Sequence, residues 1–236
     1  MTVVIIVGMH RSGTSCLAGT LQQQGLYLGK VFESNPYNQK GNRENAEIMG
    51  LNDQILAHNG NSWNNPPAAI TWTNDHVLIR DQIIRTFRES GHPTWGFKDP
   101  RTLFTLDFWQ EGLQKIDIKF IGSFRHPLSV ANSMWNRDKM AIQDGLLLWG
   151  KYNSRLLGIQ RKYDFPLISF DVSSEEYQES INRILSDLEI APALQPEEIF
   201  FDDSLRHGAI DHSMAIPRAI MEIYDELTQK YKDQVL

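Results

Sequence analysis

An arginine inside a glycine-framed turn is the feature of this chain best suited to chemistry on an anion. The turn lies in residues 7–15, VGMHRSGTS, and overlaps the end of the apolar run TVVIIV. Gly8 and Gly13 are separated by four residues, a spacing typical of turns in which backbone N–H groups and a helix N-terminus surround a phosphate. Thr14 stands where such turns usually carry a lysine, and the cation is Arg11 instead. The segment therefore predicts an anion site whose positive charge comes from within the turn.

The full string GMHRSGTS resembles the 5′-phosphosulfate loop of the sulfotransferases that use 3′-phosphoadenosine 5′-phosphosulfate (PAPS) as donor. In that family the loop reads Lys or Arg, Ser, Gly, Thr, then Thr or Ser, and this chain matches it with Arg11, Ser12, Gly13, Thr14 and Ser15. The resemblance implies an enzyme that moves a sulfuryl group from PAPS to an acceptor hydroxyl, in preference to an amine, and releases 3′,5′-ADP. It also implies that no metal is required, because basic side chains take the place of Mg²⁺.

His10 precedes the matched residues within the same loop. It could contact the donor or the acceptor, or be a loop histidine with purely structural partners. We group it with the donor-binding residues.

The same resemblance implies a second anion site, for the 3′-phosphate of the donor. In the family an arginine at a strand end and a serine eight residues later hold this phosphate, and FRHPLSVANS supplies Arg125 and Ser133 at that separation. A planar guanidinium suits phosphate, and a serine two helical turns further on can contact another oxygen. Arg206, in the late segment DDSLRHGAIDH, is a further donor-binding candidate, with a solvated loop as the alternative.

Catalysis of sulfuryl transfer needs cations for the departing phosphate and a base for the acceptor proton. Arg11 is the first cation, and Lys98 is the second because GFKDPRT resembles the Lys-Asp-Pro segment of tyrosylprotein sulfotransferases and bacterial relatives. The same residues would also make a stiff turn with no catalytic role. Pro100 stands where cytosolic sulfotransferases have their histidine base. In bacterial relatives a glutamate after a turn of the type Asn-Pro-x-Gly-x-x-Glu is the base, which points to Glu44, with Glu33 as second choice.

Composition narrows the alternatives. The chain has 236 residues, a formal net charge of −6 and one cysteine, which argues against non-specific nucleic-acid binding and against a disulfide framework. No apolar stretch approaches the ~18 residues of a membrane span, so we expect a cytoplasmic protein. The expected acceptor is a small molecule, glycan, lipid or peptide, and the oligomeric state is not encoded in a readable pattern.

Alternating strand and helix patterns predict an α/β fold: a single P-loop-type domain over residues 1–236 with a mainly parallel central sheet flanked by helices. Its C-terminal loop and helix, 197–236, are expected to pack on the rest. Strands are predicted at about 2–7 and within PTWGFKD, IKFIGSF and FPLISFD. Helices are predicted at about 13–24, 44–58, 74–90, 128–139, 141–163, 173–188 and 217–232, with a Ser173–Glu176 capping box.

Two other functions remain open on the sequence. One is a P-loop kinase or NTPase, for which Asp171 at a strand end could be the Mg²⁺ ligand, although the usual lysine is missing. The other is a nucleotide-binding protein without activity.

Overall fold

Four parallel strands form the centre of the protein. The structure, a computed structural model, describes residues 1–34, 40–190 and 214–235. In the described part the strands are β1 (Thr2–Val7), β2 (Thr94–Lys98), β3 (Asp117–Phe124) and β4 (Leu167–Ser169). Their order in the sheet is β2-β1-β3-β4, and every pairing is parallel. The predicted parallel sheet is confirmed, and all four carboxyl ends lie at one edge.

Eight helices connect and cover these strands in the described residues. They are α1 (Thr14–Gln23), α2 (Ala46–His58), α3 (Asn74–Glu89), α4 (Thr102–Gly112), α5 (Pro127–Asp138), α6 (Ile142–Tyr163), α7 (Ser174–Asp187) and α8 (Arg218–Val235). Pro127 is in the first turn of α5, where its missing N–H costs nothing. Among the described residues, no helix has both the length and the apolar character needed to cross a bilayer.

The sheet separates two apolar layers because successive side chains of a strand point to opposite faces. On β1, Val3, Ile5 and Val7 belong to a large core that includes residues of α2 to α6 and α8. Val4 and Ile6 face the other way and pack with residues of α1 and α7. The strand therefore has no polar face, which explains why it reads as a continuous apolar run.

Helix α4 was not predicted, because its sequence has almost no polar face. TLFTLDFWQEG is buried nearly all round, so the 3.6-residue alternation of a surface helix is missing. Its attachment to α2 is polar instead: Oδ1 of Asn52 accepts hydrogen bonds from Thr105 Oγ1 at 2.7 Å and Trp109 Nε1 at 2.9 Å. The Nδ2 group of Asn52 donates to Thr102 Oγ1 at 3.3 Å.

The C-terminal helix α8 packs on the domain, with Leu227 and Tyr231 buried in the large core. Of the two hydrogen bonds of the predicted capping box of α7, the structure has one: Ser173 Oγ accepts from the N–H of Glu176 at 3.2 Å. The Glu176 carboxylate instead accepts the hydroxyl hydrogen of Tyr231 at 3.0 Å, so it connects α7 to α8.

Replacement of Asn52 by alanine should destabilise the fold. N52A leaves Trp109 and two threonine hydroxyls of α4 without their buried partner, and we expect a loss of about 2–4 kcal/mol in the free energy of unfolding. Urea denaturation measures this loss. Q54A, on an exposed position of the same helix, is the matched control, and equal midpoints for the two variants would contradict this account of α4.

Candidate functional site

The glycine-framed turn is held in a conformation that side chains seldom allow. The φ angles of Gly8, Arg11 and Gly13 are 151°, 65° and 83°. A Cβ on Gly8 would collide with the carbonyl oxygen of Ser123, and one on Gly13 with the ring of Phe170. The turn is therefore pressed against the carboxyl ends of β3 and β4. Arg11 is not a glycine, so its left-handed backbone is strained, a feature that accompanies functional loops.

Three further loop residues contact neighbouring elements: Ser12 and Thr14 are buried, and Ser15 is half-buried. The carbonyl oxygen of Ser12 accepts a hydrogen bond from Ser123 Oγ at 2.6 Å. Thr14 is buried as the first residue of α1. The Oγ of Ser15 accepts from Lys98 Nζ at 3.3 Å, so a lysine does reach this loop, but from β2.

Arg11 connects the loop to the segment of the second predicted anion site. Its Nε donates to Ser133 Oγ at 2.7 Å across 122 residues of sequence. Burial and the charges of Arg137 and Arg125 lower the pKa of Arg11 to about 10, so the three guanidiniums lie within electrostatic reach. The structure thus brings Arg11, Ser133 and Arg125, predicted separately, to the same edge of the sheet.

Arg125 is buried to 9% exposure directly after β3. Its Nε lies 3.7 Å from Oδ1 of Asp171, and its guanidinium lies 5.5 Å from the centre of the Phe170 ring. Its carbonyl oxygen accepts a hydrogen bond from Trp149 Nε1 at 2.9 Å. Both the backbone and the side chain of this arginine are therefore restrained.

Lys98 and Glu44 form a buried ion pair, with Nζ and Oε1 2.7 Å apart. Asn42 also donates to the other carboxylate oxygen, at 3.3 Å. Glu44 lies just before the N-cap of α2, which is Asn45, rather than within the first turn. Burial raises the pKa of Glu44, but the charge and hydrogen bond of Lys98 outweigh it, and the pKa lies below its usual range.

A second charged group lies beside this pair, in the turn after β2. Asp99 accepts hydrogen bonds from the backbone N–H of Arg101 at 2.8 Å and from its guanidinium at 3.1 Å. The same guanidinium pairs with Asp53. Burial raises the pKa of Asp99 to about 6, although Arg101 opposes the shift. The Lys-Asp-Pro turn is thus both a rigid turn and the carrier of a cation directed towards Ser15 and Glu44.

His10 is buried between two aromatic rings. Its ring centre lies 5.0 Å from that of Trp63 and 5.8 Å from that of Tyr152. Its Nε2 atom is buried and has no hydrogen-bond partner in the part of the chain that the structure describes. The pKa of His10 is well below its usual value because of burial and then of four cations: Arg101, Arg137, Lys98 and Arg11. The imidazole is therefore neutral at physiological pH, with one nitrogen available to a ligand.

Two remaining predicted residues are not in this cluster. The side chain of Glu33, the second choice for the base, is 72% exposed and pairs with Arg43 at 3.4 Å, apart from the buried Lys98–Glu44 pair. Arg206 lies outside the described residues. Within the described ranges, no three His, Cys, Asp or Glu side chains are grouped as a metal site would require.

Sequence reasoning missed Arg137, whose guanidinium lies 5.4 Å from the centre of the Trp63 ring and within electrostatic reach of Arg11. A signal was present, because Arg137 follows Ser133 by four residues and so shares its face of α5. Asn42 also escaped notice, since its bond to Glu44 depends on how the preceding loop folds. Asp171 was considered only as a metal ligand, and its contact with Arg125 could not be read from a single strand end.

No family model matches the chain, and no curated protein sequence matches it. Solved structures do. The sulfotransferase domain from the curacin biosynthetic pathway has 15% sequence identity and a TM-score of 0.61, with 96% of this chain and 97% of that chain covered. The sulfotransferase domain of the Synechococcus PCC 7002 olefin synthase has 15% identity and a TM-score of 0.59, with 97% and 94% covered. The chain therefore has the fold of sulfotransferase domains over nearly its whole length.

Removal of the lysine of the buried pair should destabilise the protein in a pH-dependent way. In K98M, Glu44 keeps its buried position without its main cation, so we expect a loss of about 3 kcal/mol in the free energy of unfolding at pH 7. Burial then raises the pKa of Glu44 above its value in the unfolded chain. The folded state binds a proton more readily, and the deficit relative to the wild type shrinks as the pH falls from 7 to 5.

In the wild type the pKa of Glu44 is shifted in the opposite direction, below its value in the unfolded chain. Its lowered pKa contributes stability above the unfolded value of about 4.3, and this contribution is lost as the pH falls through the folded value. Urea unfolding at pH 7 and pH 5 measures both effects. K115M, at an exposed lysine, is the control, and a K98M deficit that matches it or does not change with pH would refute the assignment.

Proposed function

We propose that this chain transfers a sulfuryl group from PAPS to an acceptor hydroxyl and releases 3′,5′-ADP. The observation that carries the proposal is the 2.7 Å bond between Arg11 and Ser133, because it joins the glycine-framed loop to the helix that follows Arg125. A ligand with an anionic group at each end of one adenylate would use both sites together. The shared fold with sulfotransferase domains supports the same reading.

The residues present fit such a donor. The loop offers backbone N–H groups at the start of α1 together with a strained, half-buried arginine, which suits a 5′-phosphate. Arg125 and Ser133 suit a 3′-phosphate, and Nε2 of the neutral His10, which has no hydrogen-bond partner among the described residues, suits a ligand atom. The proposed donor-binding residues are His10, Arg11, Ser12, Gly13, Thr14, Ser15, Arg125 and Ser133. Arg206 remains a sequence-based prediction.

Proposed catalysis depends on Arg11, Lys98 and Glu44. The donor supplies the sulfuryl group, which bonds to the acceptor oxygen as the bond to the 5′-phosphate oxygen breaks. Arg11 and Lys98 stabilise the negative charge of the departing phosphate, in the role that metal ions have in kinases. Glu44 takes the proton of the acceptor hydroxyl.

The Lys98–Glu44 pair has a direct consequence for this assignment. While Nζ lies 2.7 Å from the carboxylate, the lowered pKa makes Glu44 a weak base. Nζ also lies 3.3 Å from Ser15 Oγ, on the loop that would hold the donor phosphate. Movement of Nζ towards that phosphate would weaken the pair, raise the pKa of Glu44 and strengthen it as a base.

One observation keeps a P-loop kinase or NTPase as the second candidate. Lys98 brings an ammonium group to Ser15 even though Thr14 replaces the usual lysine. Against this candidate, Oδ2 of Asp171 already accepts the N–H of His126 at 2.6 Å, and Oδ1 lies 3.7 Å from Nε of Arg125, so the carboxylate already has protein partners. Mg²⁺-dependent turnover of ATP would favour the kinase reading.

Nucleotide binding tests the proposed donor. At a concentration of about 100 times Kd, 3′,5′-ADP should raise the melting temperature by roughly 5–10 °C, and ATP should raise it less. R125A should remove the advantage of 3′,5′-ADP over 5′-AMP while leaving the unliganded melting temperature near that of the wild type. Equal stabilisation of the wild type by 3′,5′-ADP and 5′-AMP would contradict the 3′-phosphate site.

Substitution of the two glutamates tests the proposed base. In assays with labelled PAPS and any acceptor found by screening hydroxyl compounds, E44Q should lower kcat by about 10²-fold or more, because the acceptor proton has no base. The shift in melting temperature with 3′,5′-ADP should stay within about 2 °C of the wild type. E33Q, which changes an exposed carboxylate, should keep kcat within about 2-fold, and the reverse pattern would move the base to Glu33.

A further inference from the structure

Two buried ion pairs lie side by side at the carboxyl end of β2. In one, Nζ of Lys98 lies 2.7 Å from Oε1 of Glu44. In the other, Nη1 of Arg101 lies 3.1 Å from Oδ1 and 3.2 Å from Oδ2 of Asp99. None of these four side chains is more than 9% exposed. The region therefore holds two carboxylates and two cations in one buried space, and each carboxylate has its own cation.

Asp99, which follows Lys98 directly in the chain, is a second carboxylate with which Lys98 could pair. Burial and then Arg101 have the largest effects on the pKa of Asp99. The charges of Glu44 and Lys98 also act on it, so both lie within electrostatic reach of this carboxylate. A lysine ammonium is a compact charge on a flexible stem, so it can pair with either of two nearby carboxylates. Another group must therefore determine which of them holds Nζ.

Arg101 engages both oxygens of Asp99. Nη1 bonds to Oδ1 and Oδ2, and the backbone N–H of Arg101 donates to Oδ1 at 2.8 Å. Nε of the same guanidinium pairs with Asp53, so a second carboxylate fixes its orientation. A planar guanidinium can bridge two carboxylates in this way, whereas an ammonium group has no such fork. With Asp99 paired to Arg101, Nζ of Lys98 pairs with Glu44.

The contact with Asp53 also connects the two elements that carry the Lys98–Glu44 pair. Asp53 lies within α2, and Glu44 directly precedes the N-cap of that helix. Arg101 is the N-cap residue of α4, in the turn that follows Lys98. Its guanidinium therefore holds α2 against this turn, and a displacement of α2 would change the 2.7 Å distance between Nζ and the Glu44 carboxylate.

We propose that Arg101 is the positioning residue of the proposed catalytic pair: by pairing with Asp99 and Asp53, it keeps Nζ of Lys98 on Glu44 and beside the donor loop. Arg101 acts through these carboxylates and needs no contact with donor or acceptor. The catalytic part of this inference rests on the proposed function, whereas the pairing can be measured without a nucleotide.

Titration of the Glu44 carboxyl by ¹³C NMR, with E44Q to assign its resonance, tests the pairing. Burial raises the pKa of Glu44, and Lys98 and Arg101 lower it. In R101M, Glu44 loses one cation and Asp99 competes for the other, so the midpoint should move up by about one pH unit. R101K keeps the charge without the fork, so it should move the midpoint by less in the same direction, and it replaces R101M if that variant does not fold.

A double variant distinguishes selective pairing from a general loss of structure. D99N/R101M removes the competing carboxylate together with its arginine, so Nζ should remain on Glu44 and the midpoint should return to within about 0.5 pH unit of the wild type. R161M, which breaks an exposed pair with Glu226, is the control and should leave the midpoint unchanged.

Transfer assays with labelled PAPS and an acceptor from the hydroxyl screen test the catalytic consequence. R101M should lower kcat by about 10²-fold, because Nζ is drawn away from the donor loop, and D99N/R101M should recover at least about 10-fold of this loss. Isothermal titration gives the folded fraction to which kcat is normalised. The affinity for 3′,5′-ADP should stay within about 3-fold of the wild type, because the proposed phosphate-binding residues are unchanged.

Several results would overturn the role of Arg101. They are an unchanged Glu44 midpoint in R101M, a midpoint that stays shifted in D99N/R101M, and equal losses of kcat and of 3′,5′-ADP affinity in R101M. The proposed function fails separately: absence of PAPS turnover by the wild type overturns it, even where the NMR titrations show the expected pairing.

Discussion

Positive charges gathered at one edge of the sheet repel one another, and much of the site is arranged to offset that repulsion. Arg125 and Arg137 are close enough to Arg11 to lower its pKa, in addition to the larger effect of burial. The protein as a whole has a net charge of −6. The parallel order of the strands causes the crowding, because it directs the segments after β1, β2, β3 and β4 to the same edge. A cluster of cations in an acidic molecule makes the electrostatic potential more positive at that place than its net charge suggests.

Carboxylates pair with several of the cations at this edge of the sheet. Glu44 pairs with Lys98, Asp99 and Asp53 pair with Arg101, and Asp171 faces Arg125. The buried pairs Glu44–Lys98 and Asp99–Arg101 add little net stability, because desolvation of both charges consumes most of the attraction. Their value here is positional. Each pair keeps a cation at a defined place.

Much of this arrangement was readable in the sequence, because it depends on local patterns. The first strand, the loop, the proline at the start of α5 and the spacing of Arg125 and Ser133 are all short-range signals, and the parallel sheet follows from alternating elements. Helix α4 was missed because a helix buried on all sides has no periodicity to detect. The predicted capping partner of the Glu176 carboxylate was wrong. The carboxylate instead binds Tyr231, which is 55 residues away and contacts it only through tertiary packing. The Lys98–Glu44 pair is of the same type: both residues were identified, but their contact across 54 residues was not.

The backbone of the glycine-framed turn has a consequence for how a ligand would bind. Three of its residues have φ angles that most side chains avoid, and two of these residues are wedged against neighbouring strands. This segment therefore loses its conformational entropy during folding, before any ligand binds. Ligand binding then does not include the free-energy cost of ordering the loop. This preorganisation costs stability at Arg11 itself, whose backbone is in the left-handed region. A glycine at this position would relieve the backbone strain but would remove the positive charge, so stability and anion recognition favour different residues here.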